Sequence, residues 1–382
     1  FQAEDGIRDF CLSRGLGDVY KRQLQDNLEI LFGLKETSEV KVLLALKAFS
    51  TFSLAPLISN YLDGCCSSGL YETRLAKKYF KGEISTFSPA FKKDEFKEIA
   101  QKSDHIIFNS NNQLNEFFDV TRKFNNEIGI RINPLYSEIE NDKYNPANVN
   151  SRLGIHLNDL KKIDATKLSG IHFHTLCEQN FKPLENTWNH INKTIMNLSK
   201  ELKWINLGGG HHITRNDYEI NKLKQFLKKI AHETNCQIYI EPGEAVVLDA
   251  GILIGEIIDY FKPNHNLSPA IAITDISATS HIPDVIEAPY RPALLDEPTK
   301  GHKVQLGGPS CLAGDNLGIY NFNKEPRVGE RIALLDQAHY TMVKTNFFNG
   351  VKMPSIAIWD SKTNDIDIIK EFSYEDFENK LS

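Results

Sequence analysis

The chain of 382 residues has no apolar run long enough to cross a bilayer as a helix. Its most apolar later stretch, 245–261, is broken by Asp249, Glu256 and Asp259, so a spanning segment is excluded there. Basic residues are not in excess either: 44 Lys and Arg stand against 50 Asp and Glu, a formal charge of −6, and the pI is near 6.1. That balance argues against nucleic acid or an anionic membrane as partner and suits a cationic small molecule. The six cysteines, Cys11, Cys65, Cys66, Cys177, Cys236 and Cys311, show no paired metal-ligand spacing and do not read as a disulfide framework. No metal site is expected, and a reducing cytoplasm is the expected location. Internal repeats and low-complexity segments are also missing.

Residues 1–23, FQAEDGIRDFCLSRGLGDVYKRQ, have no clean helical or alternating period and no apolar core of a signal peptide. They resemble a translated adapter read-through and are read as a non-native leader outside the fold; a genuine disordered leader is the alternative. On that reading the second domain lacks one strand.

What is present is ordinary for a soluble protein, 41% hydrophobic and 25% charged, and the length calls for two domains. After an amphipathic helix at 24–32, eight strand-like runs occur at 41–47, 62–68, 83–90, 105–110, 127–134, 169–175, 203–209 and 236–243. Stretches of helical spacing separate them, such as 69–80, 94–102, 181–202 and 217–234. Eight strands alternating with crossovers long enough to return parallel predict a (β/α)8 TIM barrel over 24–245. From 246 to 382 the helical period gives way to short β-rich runs punctuated by Gly and Pro, including 246–260, 270–274, 303–307, 331–336, 340–345, 355–359 and 365–369. This predicts a C-terminal all-β domain.

Polar residues close the barrel strands at their carboxyl ends: Lys47, Ser67, Ser88, Asn109, Arg131, Asn133, His174, Gly208 to Gly210 and Glu241. In a barrel all of these meet at one rim, where such folds keep their chemistry. Lys47 ends the apolar run KVLLAL; desolvation there would lower its pKa and free the amine for an aldehyde, unless it simply points to solvent. Gly208, Gly209 and Gly210 let the backbone approach an anion, although tight turns use glycine for steric reasons too. Together with Lys47 they suggest pyridoxal phosphate. His172 and His174 share one strand face, as a pair of metal ligands or with His174 against a flat cofactor ring and His172 structural. Glu241, before a Pro-Gly turn, either faces a pyridine nitrogen or caps the turn. Cys311, in the loop GGPSCLAGD, is a candidate proton donor or an inert small residue; Tyr340 is a phosphate donor or ordinary packing.

The segments LLALKAF, SSGLYETRLAKKYF, RINPLYSEIENDKYNP, GIHFHTLCEQ, WINLGGGHHITR, EPGEAV, TDISATSHIPDVIEAPYRP, LGGPSCLAGD and AHYTMVKTNFFNGV resemble the fold-type III pyridoxal-phosphate decarboxylases. Within that group the chain is most similar to the carboxynorspermidine (carboxyspermidine) decarboxylase branch. The resemblance implies that Lys47 bonds to the cofactor, His174 stacks on its ring, Gly208, Gly209, Gly210 and Tyr340 hold its phosphate, and Glu241 its pyridine nitrogen. It implies further that Cys311 comes from the second subunit of a homodimer to protonate the product carbon, and that Asp275, Arg291 and Asp315 contact substrate. The implied activity is decarboxylation of carboxynorspermidine or carboxyspermidine to norspermidine or spermidine, in polyamine biosynthesis. Glu244 stands where the wider group often has arginine, as in this branch. Leu312 stands where ornithine and diaminopimelate decarboxylases carry an acid, which weighs against those two as substrates. A metal-dependent barrel hydrolase using His172 and His174, and a non-catalytic pyridoxal-phosphate carrier, are the alternatives from other classes.

Overall fold

The structure, a computed structural model, describes residues 16–35, 39–263 and 268–382. The described chain begins with β1 (Leu16–Tyr20) and α1 (Lys21–Phe32). Nine strands follow: β2 (Val40–Ala45), β3 (Gly64–Ser67), β4 (Glu83–Phe87), β5 (His105–Phe108), β6 (Glu127–Asn133), β7 (Ile155–His156), β8 (Gly170–His172), β9 (Trp204–Asn206) and β10 (Gln237–Ile240). β2, β3, β4, β5, β6, β8, β9 and β10 pair in that order, all parallel, and β10 pairs back onto β2, which closes an eight-strand barrel. β7 extends the edge of β6. The (β/α)8 expectation holds: seven of the eight predicted runs contain their strand, and β2 begins one residue ahead of its run, at Val40.

Helices α2 (Ala55–Ile58), α3 (Leu70–Tyr79), α4 (Lys93–Lys102), α5 (Asn111–Lys123), α6 (Phe181–Leu198) and α7 (Ile220–Thr234) form the crossovers. Their apolar positions recur at helical spacing. In α5, Leu114, Phe117 and Thr121 are buried along one stripe, and the Ser110 hydroxyl accepts from the Gln113 amide to cap the start.

One bulky layer fills the amino-terminal half of the barrel. Trp204, fully buried at the start of β9, stacks on the His105 ring at 5.1 Å and 5° and meets Tyr239 edge-on, with Leu43 and Ile107 completing the cluster. The indole has room because its neighbours on β6 and β8 are Gly129 and Gly170. A Cβ on Gly170 would lie 2.0 Å from the indole and one on Gly129 2.3 Å. This plug closes the bottom of the barrel and leaves the carboxyl-end mouth for polar groups.

The second unit comprises residues up to Gln25 and from Val247 onward. After α8 (Glu244–Val247) come β11 (Gly251–Phe261), β12 (Ala270–Thr274), α9 (Asp284–Glu287), β13 (His302–Gly307), β14 (Asn316–Phe322), β15 (Arg331–Leu335), α10 (Thr341–Lys344), β16 (Ser355–Asp360), β17 (Asp365–Lys370) and α11 (Tyr374–Leu381). The sheet order is β14-β13-β12-β11-β1-β16-β17, with β15 also on β11. β11 pairs with β1 and β15 over its first half and with β12 beyond an irregularity at Ile257/Asp259. Leu253, Ile257, Val304, Leu306, Leu317 and Tyr320 form its core.

Three expectations need correction here. Of residues 1–23, read as a leader outside the fold, 16–20 form β1 between β11 and β16, and 21–23 open α1; residues 1–15 lie outside the described residues. The run 340–345 forms α10 instead of a strand: Tyr340, at φ 46° and ψ −48°, turns the chain and its carbonyl accepts from the Lys344 amide. The second unit is also not purely β, since three short helices accompany its sheet; α11 starts with a capping box between Ser373 and Asp376.

The Trp204 plug generates a stability prediction. Gly170→Ala will overpack the plug and destabilise the chain by about 1–3 kcal/mol, read as a lower urea midpoint with an unchanged slope.

Candidate active site

The turn after β2 and the turn after β10 lie side by side at the barrel mouth. The Ala45 amide donates to the Pro242 carbonyl at 2.9 Å and the Leu46 amide to the Cys66 carbonyl at 3.1 Å. Lys47 therefore projects from a braced turn. Its side chain is reachable from solvent but surrounded by protein, and burial lowers its pKa from the ordinary 10.5. Arg131 lowers it further, while Cys66, Glu241 and Cys177 act in the opposite direction.

Glu241 is the carboxylate at this mouth. Its Oε1 accepts from Asn206 Nδ2 at 2.7 Å and its Oε2 lies 3.2 Å from His172 Nε2. Burial alone would raise its pKa, but His172, Asn206 and Arg131 outweigh that and hold it below the ordinary value. His172 itself is pushed below its ordinary 6.5 by burial, with Arg131 and Lys47 adding to the effect against Glu241. The two shifts favour a charged carboxylate beside a neutral imidazole. Asn206 Oδ1 accepts in turn from the Gly208 amide at 2.9 Å.

His174 sits on the same rim. Its Nδ1 accepts from the Gly209 amide at 2.9 Å, which sets the proton on Nε2, and burial holds its pKa well below 6.5. Arg131 is buried, lies over the Phe87 ring at 4.6 Å and donates from Nη2 to the His174 carbonyl at 3.3 Å. The three glycines do not contribute equally. The amides of Gly208 and Gly209 already have acceptors, and the Gly210 amide has none among the described residues. Gly210 is at φ 87°, and a Cβ there would lie 2.0 Å from the Leu176 carbonyl, so no other residue fits.

The remaining rim residues brace the loops. Ser67 shares hydroxyl hydrogen bonds with Thr73 and Thr86, Ser88 donates to the Ala90 carbonyl, Asn109 donates to the Arg152 carbonyl, and Asn133 donates to the Asn148 carbonyl. His172 and His174 commit one nitrogen each to different partners. No group of three or more His, Cys, Asp or Glu among the described residues is arranged to hold a metal.

In the second unit, Cys311 is exposed and its amide donates to Asn349 Oδ1 at 2.7 Å. Asp315, expected as a substrate contact, is buried and accepts from the Ser277 hydroxyl and the amides of Ala278 and Ser310, which ties the Cys311 loop to the 277–280 loop. Asp275 Oδ1 accepts from the Glu256 amide, and burial raises its pKa. Arg291 spans Glu297 with two nitrogens at 2.9 Å and covers the Tyr320 ring. Tyr340 holds a backbone conformation outside the left-handed helical well, a local strain of the kind found in functional loops.

A sequence description of the pyridoxal-dependent decarboxylases, their pyridoxal-binding domain, matches residues 22–248. The chain belongs to this family. It is 39% identical to the carboxynorspermidine/carboxyspermidine decarboxylase of Campylobacter jejuni, over 93% of this chain and 95% of that one. It is 36% identical to the carboxyaminopropylagmatine decarboxylase of Synechocystis sp., over 94% and 92%. The crystal structure of carboxynorspermidine decarboxylase from C. jejuni, complexed with norspermidine, superposes with a TM-score of 0.88 at 37% identity, covering 96% of this chain and 100% of that one. Diaminopimelate decarboxylase from Helicobacter pylori, at 16% identity and a TM-score of 0.83, shares the fold.

The residues present fit pyridoxal phosphate. An amine of lowered pKa, an ionised buried carboxylate and one backbone amide without an acceptor stand at the mouth of the barrel. The sequence reading missed Asn206; its signal was a single amide in the otherwise apolar strand WINL. No helix among the described residues is long and apolar enough to cross a membrane.

Buried neutral imidazoles make the barrel acid-sensitive. His211, bonded through Nδ1 to the Tyr218 hydroxyl at 2.7 Å, has its pKa pushed down to about 3 by burial and by His212. In the unfolded chain it regains the ordinary 6.5, so its stability contribution is complete above that pH and is lost as pH falls towards the folded value. The unfolding free energy will fall below pH 6.5 by up to about 1.4 kcal/mol per pH unit for this group alone, and His211→Asn will flatten that slope in urea titrations.

Proposed function

We propose that this chain removes the carboxyl group of carboxynorspermidine or carboxyspermidine, using pyridoxal phosphate carried by Lys47, as a step of polyamine biosynthesis. The observation that carries this reading is the similarity along nearly the whole chain, both units included, to relatives acting on carboxylated polyamines. Diaminopimelate decarboxylases match less: the one from Buchnera aphidicola is 31% identical over only 34% of this chain. Carboxyaminopropylagmatine is the second reading, favoured by the 36% identity to the Synechocystis enzyme over 94% of the chain.

Bound pyridoxal phosphate supplies an aldehyde to join the substrate amine and a ring that accepts the electron pair left by departing carbon dioxide. The chain's part is positional and electrostatic. Lys47, its ammonium disfavoured by burial and by Arg131, gives up its proton at Nζ more readily than an ordinary lysine. Glu241 places a negative charge where the pyridine nitrogen would keep its proton. His174, neutral with its proton on Nε2, offers a flat uncharged face, and the Gly210 amide is a donor for phosphate oxygen. Cys311, from a second copy of the chain in a homodimer, would deliver a proton from Sγ to the product carbon. Tyr340 is retained as a phosphate donor, and Asp275, Arg291 and Asp315 as substrate contacts. The excess of acidic residues suits a polyamine.

Incubation with pyridoxal phosphate and each candidate substrate, with products identified by chromatography, tests the reading. Norspermidine or spermidine will form, Lys47→Ala will abolish turnover, and ornithine and diaminopimelate will be poor substrates. Faster release of lysine from diaminopimelate would overturn it. Cys311→Ala will lower kcat about a hundredfold with little change in KM, as expected for a lost proton donor.

A further inference from the structure

The group that carries the next step is His172, which the chemistry above does not use directly. It is 2% exposed, on β8, and its ring is stacked on Phe87 at 5.6 Å, with Arg131 on Phe87 at 4.6 Å. Its Nε2 faces Glu241 Oε2 at 3.2 Å, and its Nδ1 is buried with no hydrogen-bond partner among the described residues. The charged groups acting on it are Glu241, which favours its protonated form, and Arg131 and Lys47, which disfavour it.

An imidazolium here would bury an N–H at Nδ1 without an acceptor, beside two cations. A neutral ring leaves only a lone pair unmatched, which is far less unfavourable. The proton must then be on Nε2, because only a donor satisfies the carboxylate oxygen at that distance. A neutral donor orients Glu241 without cancelling its charge; a cation would form an ion pair with it. Asn206 holds the other oxygen, also as a neutral donor.

We propose that His172 is a positioning residue that fixes Glu241 through a neutral Nε2–H hydrogen bond, keeping the full carboxylate charge directed at the barrel mouth for a ring nitrogen that must stay protonated. The inference rests on the pyridoxal-phosphate reading for its purpose, but the state of His172 stands without it.

Two measurements separate these. In the cofactor-free chain, nitrogen NMR of the histidine rings will find His172 neutral as the Nε2–H tautomer at neutral pH. An imidazolium or an Nδ1–H tautomer overturns the proposal, and this needs no variant. In His172→Phe, which keeps the stack on Phe87, the Glu241 carboxyl will titrate at higher pH than in the parent chain, in carbon NMR without cofactor. With labelled cofactor bound, the ring nitrogen will lose its proton at lower pH, and kcat will fall about ten- to a hundredfold with KM little changed. His172→Gln, with an amide donor, will restore part of each effect. Unchanged Glu241 titration in a folded His172→Phe chain overturns the proposal. A parent chain that binds no pyridoxal phosphate overturns the reading of the site and leaves the tautomer result to be judged by itself.

Discussion

A charged carboxylate buried at the mouth of a barrel is the constraint on which the rest of this site depends. Left alone in a low-dielectric interior, Glu241 would take up a proton, since an uncompensated buried charge is several kcal/mol unfavourable. Two neutral donors, Asn206 on β9 and His172 on β8, and one cation, Arg131 on β6, offset that penalty. The three come from three different strands, so the carboxylate is held only when the barrel is closed. The same arrangement acts on Lys47 in reverse. Burial and Arg131 push its ammonium towards the neutral amine, against the pull of Glu241.

The barrel interior is divided along its axis. Towards the strand starts, Trp204, His105, Tyr239, Leu43 and Ile107 fill the space, and Gly129 and Gly170 admit the indole. Below them the Tyr239 hydroxyl donates to Glu83 at 2.8 Å and Lys41 pairs with the same carboxylate. Towards the strand ends the inward positions are polar and hydrogen-bonded to one another. A packed, rigid floor lets the mouth keep groups in fixed positions, which is what electrostatic chemistry requires.

The second unit contributes loops whose order has its own physical source. Asp315, buried at 6% exposure, accepts from several donors of neighbouring loops, and Asn349 accepts from the Cys311 amide. The cysteine side chain is thereby presented from a braced loop while remaining exposed.

Local pattern decided much of this protein. Runs such as VKVLLA and HIIF, separated by stretches of helical period, required eight strands with crossovers, and barrel closure then required Lys47, His174, the three glycines and Glu241 to meet at one rim. Those features depend on neighbours a few residues away, so they are readable in one dimension. Tertiary structure alone decided which partners complete the site. Glu241 takes its donors from 35 and 69 residues away, and no periodicity marks Asn206 or His172 as those donors. It also decided that two of the three glycine amides are already engaged, that Tyr340 starts a helical turn, and that Leu16–Tyr20 becomes a strand between β11 and β16. Hydrogen-bond partners are chosen by the fold's closure in space, whereas burial periodicity is set by the geometry of each element by itself.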